Sequence, residues 1–331
     1  MPRLFLAPKP TDAADDKCEW IVDSLAAHRT RYSRAVKVLD VDEEQAKTRR
    51  SLFATGQVPP QWPDLRELVL GEVHSGDYVH AALGTEQPTS GASQQVSRGQ
   101  SSAARSWGYV KSLRWAARDV SDGIQGSRGS ANRIAGALGG GMHHARRESG
   151  REGHVFNGLA AVAHELAGNA ALGCGPILIL DLDGSCGGGT ASMIAGMPHV
   201  RMVDIAVNRV DAYESSPNTM LRIVAKASHY LDTVRESLEA MDVATETLPV
   251  CIYSGGVDGF EGMLNGLPGM TADLLAERDR LVFDWCTRVG IRTAYTLGCG
   301  DVSDAVPAEA LVALHRQTIE AAAAASRGER S

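Results

Sequence analysis

The sequence predicts an α/β protein in three layers, with helices on both faces of a mainly parallel central sheet, and three observations predict it. Short apolar runs alternate with segments of helical periodicity through the second half of the 331 residues, the pattern of a parallel sheet covered on both sides. Several of those runs end in glycines and acids, as at Leu180-Asp181-Leu182-Asp183-Gly184 and Ser254-Gly255-Gly256-Val257-Asp258. With 44% hydrophobic residues and 35 glycines, the chain has apolar surface for a sizeable core and many tight turns. One domain, 1–331, is expected, ending in a polar tail.

In order along the chain, Arg3 to Ala7 reads as an opening strand, and residues 12–28 carry Ile21, Leu25 and Ala26 at helical spacing. Residues 64–70 read as a second helical piece, and Glu72 to Val79 as a turn that starts another. From Gly84 to Ala103 the composition turns to Ser, Gly, Gln and Thr without periodicity, which predicts a long, mobile surface loop. A helix is expected over 107–123, a strand over 134–138, a helix from an Asn157 cap to about Leu172, and strands over 176–183 and 200–207. The series continues with a helix over 219–241, a strand over 249–254, a helix over 271–289 capped by Thr271, and a strand over 291–297. Pro307 opens the last helix. In such folds active sites lie at the carboxyl ends of the strands.

The formal charge of −7 argues against a broad positive surface for nucleic acid or anionic lipid, and no apolar run reaches membrane-spanning length. A cytoplasmic protein acting on a small-molecule substrate is expected, with a homo-oligomer left open. The six cysteines are scattered without a Cys-x-x-Cys pair, so reduced thiols are expected. The richness in Ala, Gly and Arg is that of a GC-rich bacterial chain.

Three strand ends carry groups for chemistry. The first is Gly140-Gly141-Met142-His143-His144, because imidazole is the usual general base near neutral pH. In the second, Asp181, Asp183 and Ser185 alternate toward one side of the chain, and two acids at a buried strand end repel unless a cation or donor neutralises them. The third ends in Asp258, where a turn aspartate is the plain alternative.

Together these segments resemble the histone deacetylase and acetoin-utilisation family of the arginase/deacetylase superfamily, from about Glu72 onward. Glu72-Val-His-Ser-Gly-Asp-Tyr-Val79 is similar to that family's VHSPEYV, His144 to Asn157 keeps its spacing, and Asp181-Leu-Asp183 with Gly187, Gly189 and Thr190 is similar to LDLDVHHGNGT. The resemblance implies an arginase/deacetylase-like fold and hydrolysis of a C–N bond, with His143 and His144 as the catalytic pair. It further implies Asp183 and Asp258 as metal ligands, Asp181 orienting His143, and a potassium site beneath Asp181.

The pattern also breaks. Ser185 stands at the third zinc-ligand position and Cys186 at the next histidine, and a hydroxyl is a poorer donor than imidazole, so zinc or another divalent metal should bind more weakly. Gly188 replaces the acid expected for His144, leaving that histidine without its partner. Gly298-Cys299-Gly300 replaces the segment whose tyrosine steadies the oxyanion. Glu152 and Gly153 replace an aromatic wall, which predicts a wider, more polar pocket lined by Glu152, Gly153, His154 and Gly298. Cys186 and Cys299 are candidate metal ligands or nucleophiles beside the histidines.

The expected function is thus an altered amidohydrolase acting on a small acylated amine or related metabolite. A second reading is a non-catalytic binding protein on the same fold. A third is a Mg²⁺-dependent phosphatase, since Asp181-Leu-Asp183-Gly184-Ser185 also resembles the Asp-x-Asp-Gly-Thr motif of haloacid dehalogenase-type enzymes, with Asp181 as nucleophile.

Overall fold

The computed structural model describes residues 3–6, 17–27, 37–40, 70–83, 100–121, 133–168, 176–242 and 250–328. Among the described residues eight strands form one sheet: β1 (Arg3–Leu6), β2 (Lys37–Asp40), β3 (Ile134–Ala137), β4 (Ile177–Asp181), β5 (Val200–Ala206), β6 (Thr219–Ile223), β7 (Val250–Ser254) and β8 (Arg292–Thr296). Their order is β2-β1-β3-β8-β7-β4-β5-β6, and every pair is parallel. The α/β class with a parallel sheet is as the sequence predicts.

Alternation along the central strands decides which helices lie on which face. Leu178, Leu180, Cys251 and Tyr253 pack with Ile21 and Leu25 of α1 (Lys17–Ala27), Tyr230 and Val234 of α6 (Tyr230–Asp242), Phe283 of α7 (Ala272–Val289) and Leu311 of α8 (Ala308–Arg327). The intervening Ile177, Ile179, Val250 and Ile252 face Val79 of α2 (Gly76–Leu83), Leu113 of α3 (Gln100–Ser121), Leu159 of α4 (Gly158–Gly168) and Ile194 of α5 (Gly188–Ile194). A period of two with both faces apolar needs a helical layer on each side, and the three layers follow. No helix among the described residues is long and apolar enough to cross a membrane.

Two elements differ from expectation. Residues 219–223 are an edge strand and not the start of a helix, since Met202 to Ala206 of β5 offer a free edge in register with Thr219 to Ile223. A short 3-10 turn at Ala227–His229 then leads into α6. Helix α3 begins at Gln100, so the last four residues of the 84–103 stretch are helical, while 84–99 lie outside the described residues. Most of the helical piece read over 64–70 lies outside them too. Thr271 caps α7 through its hydroxyl, which accepts from the Leu274 amide at 3.3 Å, and Pro307 stands at the start of α8, both as predicted.

Candidate active site

The carboxyl ends of β3, β4, β7 and β8, adjacent or nearly so in the sheet, carry the loops that hold His143 and His144, Asp183 and Ser185, Asp258, and Cys299. The loop after β3 is fixed by Asn157, fully buried, whose amide nitrogen donates to the carbonyls of His143 (3.2 Å) and Ala145 (3.0 Å) and to the Thr190 hydroxyl (3.0 Å). Its side-chain oxygen accepts from the Ala160 amide at 2.9 Å, so the cap of α4 and the histidine loop are one assembly. His74 adds a second strut: its Nδ1 donates to the Arg146 carbonyl (2.9 Å) and its Nε2 accepts from the Asn157 amide (3.0 Å).

His143 and His144 lie with ring centroids 4.1 Å apart, and each has a carboxylate on Nδ1. Asp181, fully buried at the end of β4, pairs with His143 at 2.8 Å. Asp211 pairs with His144 at 3.2 Å, which corrects the expectation that the second histidine lacks an acid. The carboxylate comes from the loop after β5, and Gly188 is the reason it fits, because a Cβ there would collide with the main-chain oxygen of Asp211 and crowd its carboxylate. Arg146 and Arg151 hold the other Asp211 oxygen, Arg151 at 2.8 Å. The Gly189 amide donates to the histidine-facing oxygen at 3.0 Å.

These partners set the charges. Burial lowers the His143 pKa, but the charges of Asp181 and Asp183 outweigh it and hold that imidazole well above its usual range. Burial and the neighbouring His143 push His144 down, so it is the more readily neutral of the pair. Burial also opposes ionisation of Asp211, yet His144, Arg146 and Arg151 keep its carboxyl below the usual range. His154 is pushed well down by burial and by both histidines.

The other predicted residues divide. His154 stacks on His144 with centroids 4.9 Å apart, and its Nε2 lies 3.4 Å from the Cys299 sulfur, so both belong to the cavity. Gly298 has φ 64°, and a side chain there would strike Gly256 and Asp183, so glycine alone permits the close approach of the β7 and β8 loops. Glu152 and Gly153 do not line the cluster: they form the exposed tip of a turn at φ 52° and 79°, with Glu152 beside Arg151. The Cys186 thiol turns to the Asn208 carbonyl at 3.4 Å, and burial and Asp204 push it up to about 12, which does not suit a nucleophile.

Asp183, Ser185 and Asp258 do meet, but as a hydrogen-bonded set. The Ser185 hydroxyl donates to Asp258 and accepts from Asn208, each at 3.2 Å. The Gly184 amide donates to Asp258 at 2.6 Å and to Asp183 at 3.0 Å, and the Cys299 amide to Asp183 at 3.2 Å. Burial and the adjacent Asp183 raise the Asp258 carboxyl well above its usual range, so a shared proton relieves the pair. A serine hydroxyl engaged by both Asp258 and Asn208 is a poorer zinc donor than an imidazole, so this set is weaker than one completed by histidine. Beside Asp181 on the neighbouring strand, fully buried Asp204, which no motif marked, accepts from the Gly187 amide at 2.8 Å and lies against the Tyr213 hydroxyl. Burial and Asp181 raise its carboxyl as well.

A family model for the histone deacetylase domain matches residues 26–315, most of the chain. The chain belongs to the histone deacetylase family. No curated protein matches it closely. In this histone deacetylase-family chain the paired histidines and Asp181 sit together as the resemblance implies, and a cluster of His143, Asp183 and Cys299 stands where ligand atoms converge within 4.8 Å. Asp181 is enclosed, with one oxygen on His143 and the other accepting from the Asp183 amide at 3.3 Å, a poor disposition for a phosphatase nucleophile.

Proposed function

We propose that the protein is a divergent deacetylase-type amidohydrolase that cleaves the C–N bond of a small acylated amine. The observation that carries this is the pair of histidine–carboxylate couples, His143–Asp181 and His144–Asp211, meeting in one buried cluster, where the surroundings favour the charged form of His143 and the neutral form of His144. His144, neutral and oriented by Asp211 through Nδ1, accepts a proton from water at Nε2. The water oxygen then bonds to the acyl carbon while the positive charge on His143 faces the oxygen that becomes negative. Collapse breaks the C–N bond, the amine leaves with the proton from His144, and a carboxylic acid remains. No step runs through an ion held by Asp183, Ser185 and Asp258.

A small, polar substrate is supported by the charged residues beside the histidines, Arg146 and Arg151 on Asp211, and by Glu152 and Gly153 in place of an aromatic pair. Release of free amine from a panel of N-acetylated diamines and amino acids tests the reading. Turnover should fall by about a hundredfold or more in His144→Gln. Equal release by wild type and variant would overturn it, and binding of panel members without release would favour the non-catalytic reading.

A further inference from the structure

We propose that this cluster contains a divalent metal site built from His143 Nε2, an Asp183 carboxylate oxygen and the Cys299 sulfur, sharing Asp183 with the Asp183–Ser185–Asp258 set but taking its other two ligands from the loops after β3 and β8. The three residues come from the loops after β3, β4 and β8, and one ligand atom from each lies within 4.8 Å of the other two. His143 Nδ1 is committed to Asp181, so the atom it offers is Nε2. That nitrogen is buried, in a side chain only 1% exposed, and faces the Cys299 thiol without a well-formed hydrogen bond. A buried ring nitrogen without such a bond asks for an explanation, and a carboxylate on the opposite nitrogen is the support that metal-bound histidines have.

The other two ligands are equally supported. Asp183 accepts from the Gly184 amide on one oxygen and from the Cys299 amide on the other, which fixes the plane of its carboxylate. His154 bears on the sulfur. Its Nδ1 accepts from the His144 amide at 3.1 Å, so the neutral ring carries its hydrogen on Nε2, and that N–H donates to Cys299 Sγ at 3.4 Å. Burial and the charge of Asp183 push the Cys299 thiol up to about 12, so a bound cation has to displace its proton, and the N–H donated by His154 supports the thiolate that then binds. Nitrogen, carboxylate and thiolate donors select a borderline cation such as Zn²⁺, and three protein ligands leave a fourth position open. Binding requires the ligands to close to about 3.5 Å from one another, set by bond lengths of about 2.0 to 2.3 Å.

The inference rests on the reading of this cavity as the active site: the cation would take the place of the His143 proton opposite the acyl oxygen. Two measurements test it without turnover, the metal content of purified full-length protein after dialysis against Zn²⁺-containing buffer and the absorption of the Co²⁺-loaded protein. Stoichiometric zinc and a thiolate-to-cobalt charge-transfer band in the near ultraviolet are expected. Both should be lost in Cys299→Ser and kept in Ser185→Ala and Cys186→Ser, with circular dichroism confirming that each variant is folded. His143→Gln should lose the zinc independently of the thiol. Absence of stoichiometric zinc from folded wild type, or a charge-transfer band that survives Cys299→Ser, would overturn the site. Amine release by a metal-free protein sinks this inference and keeps the amidohydrolase reading, whereas zinc held without any release does the reverse.

Discussion

For a single side chain, the question is which nitrogen carries the proton, and at His144 the answer lies with Asp211. Its carboxylate accepts from Nδ1 and so leaves Nε2 as the basic nitrogen. Asparagine at 211 keeps the shape, but its amide can present N–H to Nδ1 and select the opposite tautomer. Asp211→Asn should therefore lower kcat by about a hundredfold with little change in KM, and shift the acid limb of the pH–rate profile. An unchanged profile would show that Asp211 is only a support for Arg146 and Arg151. The two histidines, Asp181, Asp183, Asp258 and Cys299, which the structure brings together, could be singled out in sequence because each lies at or near a strand-and-glycine run that aligns with a family motif. Asp211 could not, since it lies in a loop without a motif, 67 positions from its partner, and the only trace of it is the negative one at Gly188. Cys186 shows the converse: it occupies a motif position, yet its thiol turns away from the cluster.

Among the elements, the histidine loop depends on neighbours that do no chemistry. His74, before α2, is held neutral by geometry, since Nδ1 must donate to the Arg146 carbonyl and Nε2 must accept from the Asn157 amide. Burial takes its pKa down from 6.5 to about 4. The unfolded chain therefore binds a proton below pH 6.5 that the folded protein refuses until about pH 4, so this contribution is complete above 6.5 and is lost as the pH falls through that window. The loss amounts to about 3 kcal/mol, at 1.36 kcal/mol per pH unit. Urea melts of wild type and His74→Gln between pH 7 and 4 should show the wild type losing stability more steeply with acid; parallel curves would remove His74 from the account. The predicted turn at Glu72 to Val79 was legible, its structural use was not. The edge strand β6 was misread because Thr219-Met220-Leu221-Arg222-Ile223 suits either element locally, and only the open edge of β5 chooses between them.

For the whole molecule, the sheet's alternation and strand order place the site, while one buried cation ties the strand ends to the helical layer behind them. Arg278 of α7 donates to the Leu182 carbonyl at 3.0 Å and the Gly256 carbonyl at 2.6 Å, the residues just before Asp183 and two before Asp258. Its charge is met by Asp279 at 2.8 Å, which in turn accepts from Tyr253 of β7 and, at 2.6 Å, from Thr318 of α8. Sequence alone gives no hint of this, because an Arg-Asp pair inside an amphipathic helix reads as a solvated face. Both side chains are 1% exposed, so replacing only one leaves the other's charge in a low-dielectric interior. Arg278→Leu should cost about 3 to 5 kcal/mol and loosen the two acid-bearing strand ends, whereas Arg278→Leu with Asp279→Leu should be less destabilised than the single variant, since no charge is stranded. Denaturant midpoints of the three proteins decide the matter: a double variant as unstable as the sum of the two singles would mean that the carbonyl contacts to Leu182 and Gly256, and not the ion pair, hold the active-site edge to its helices.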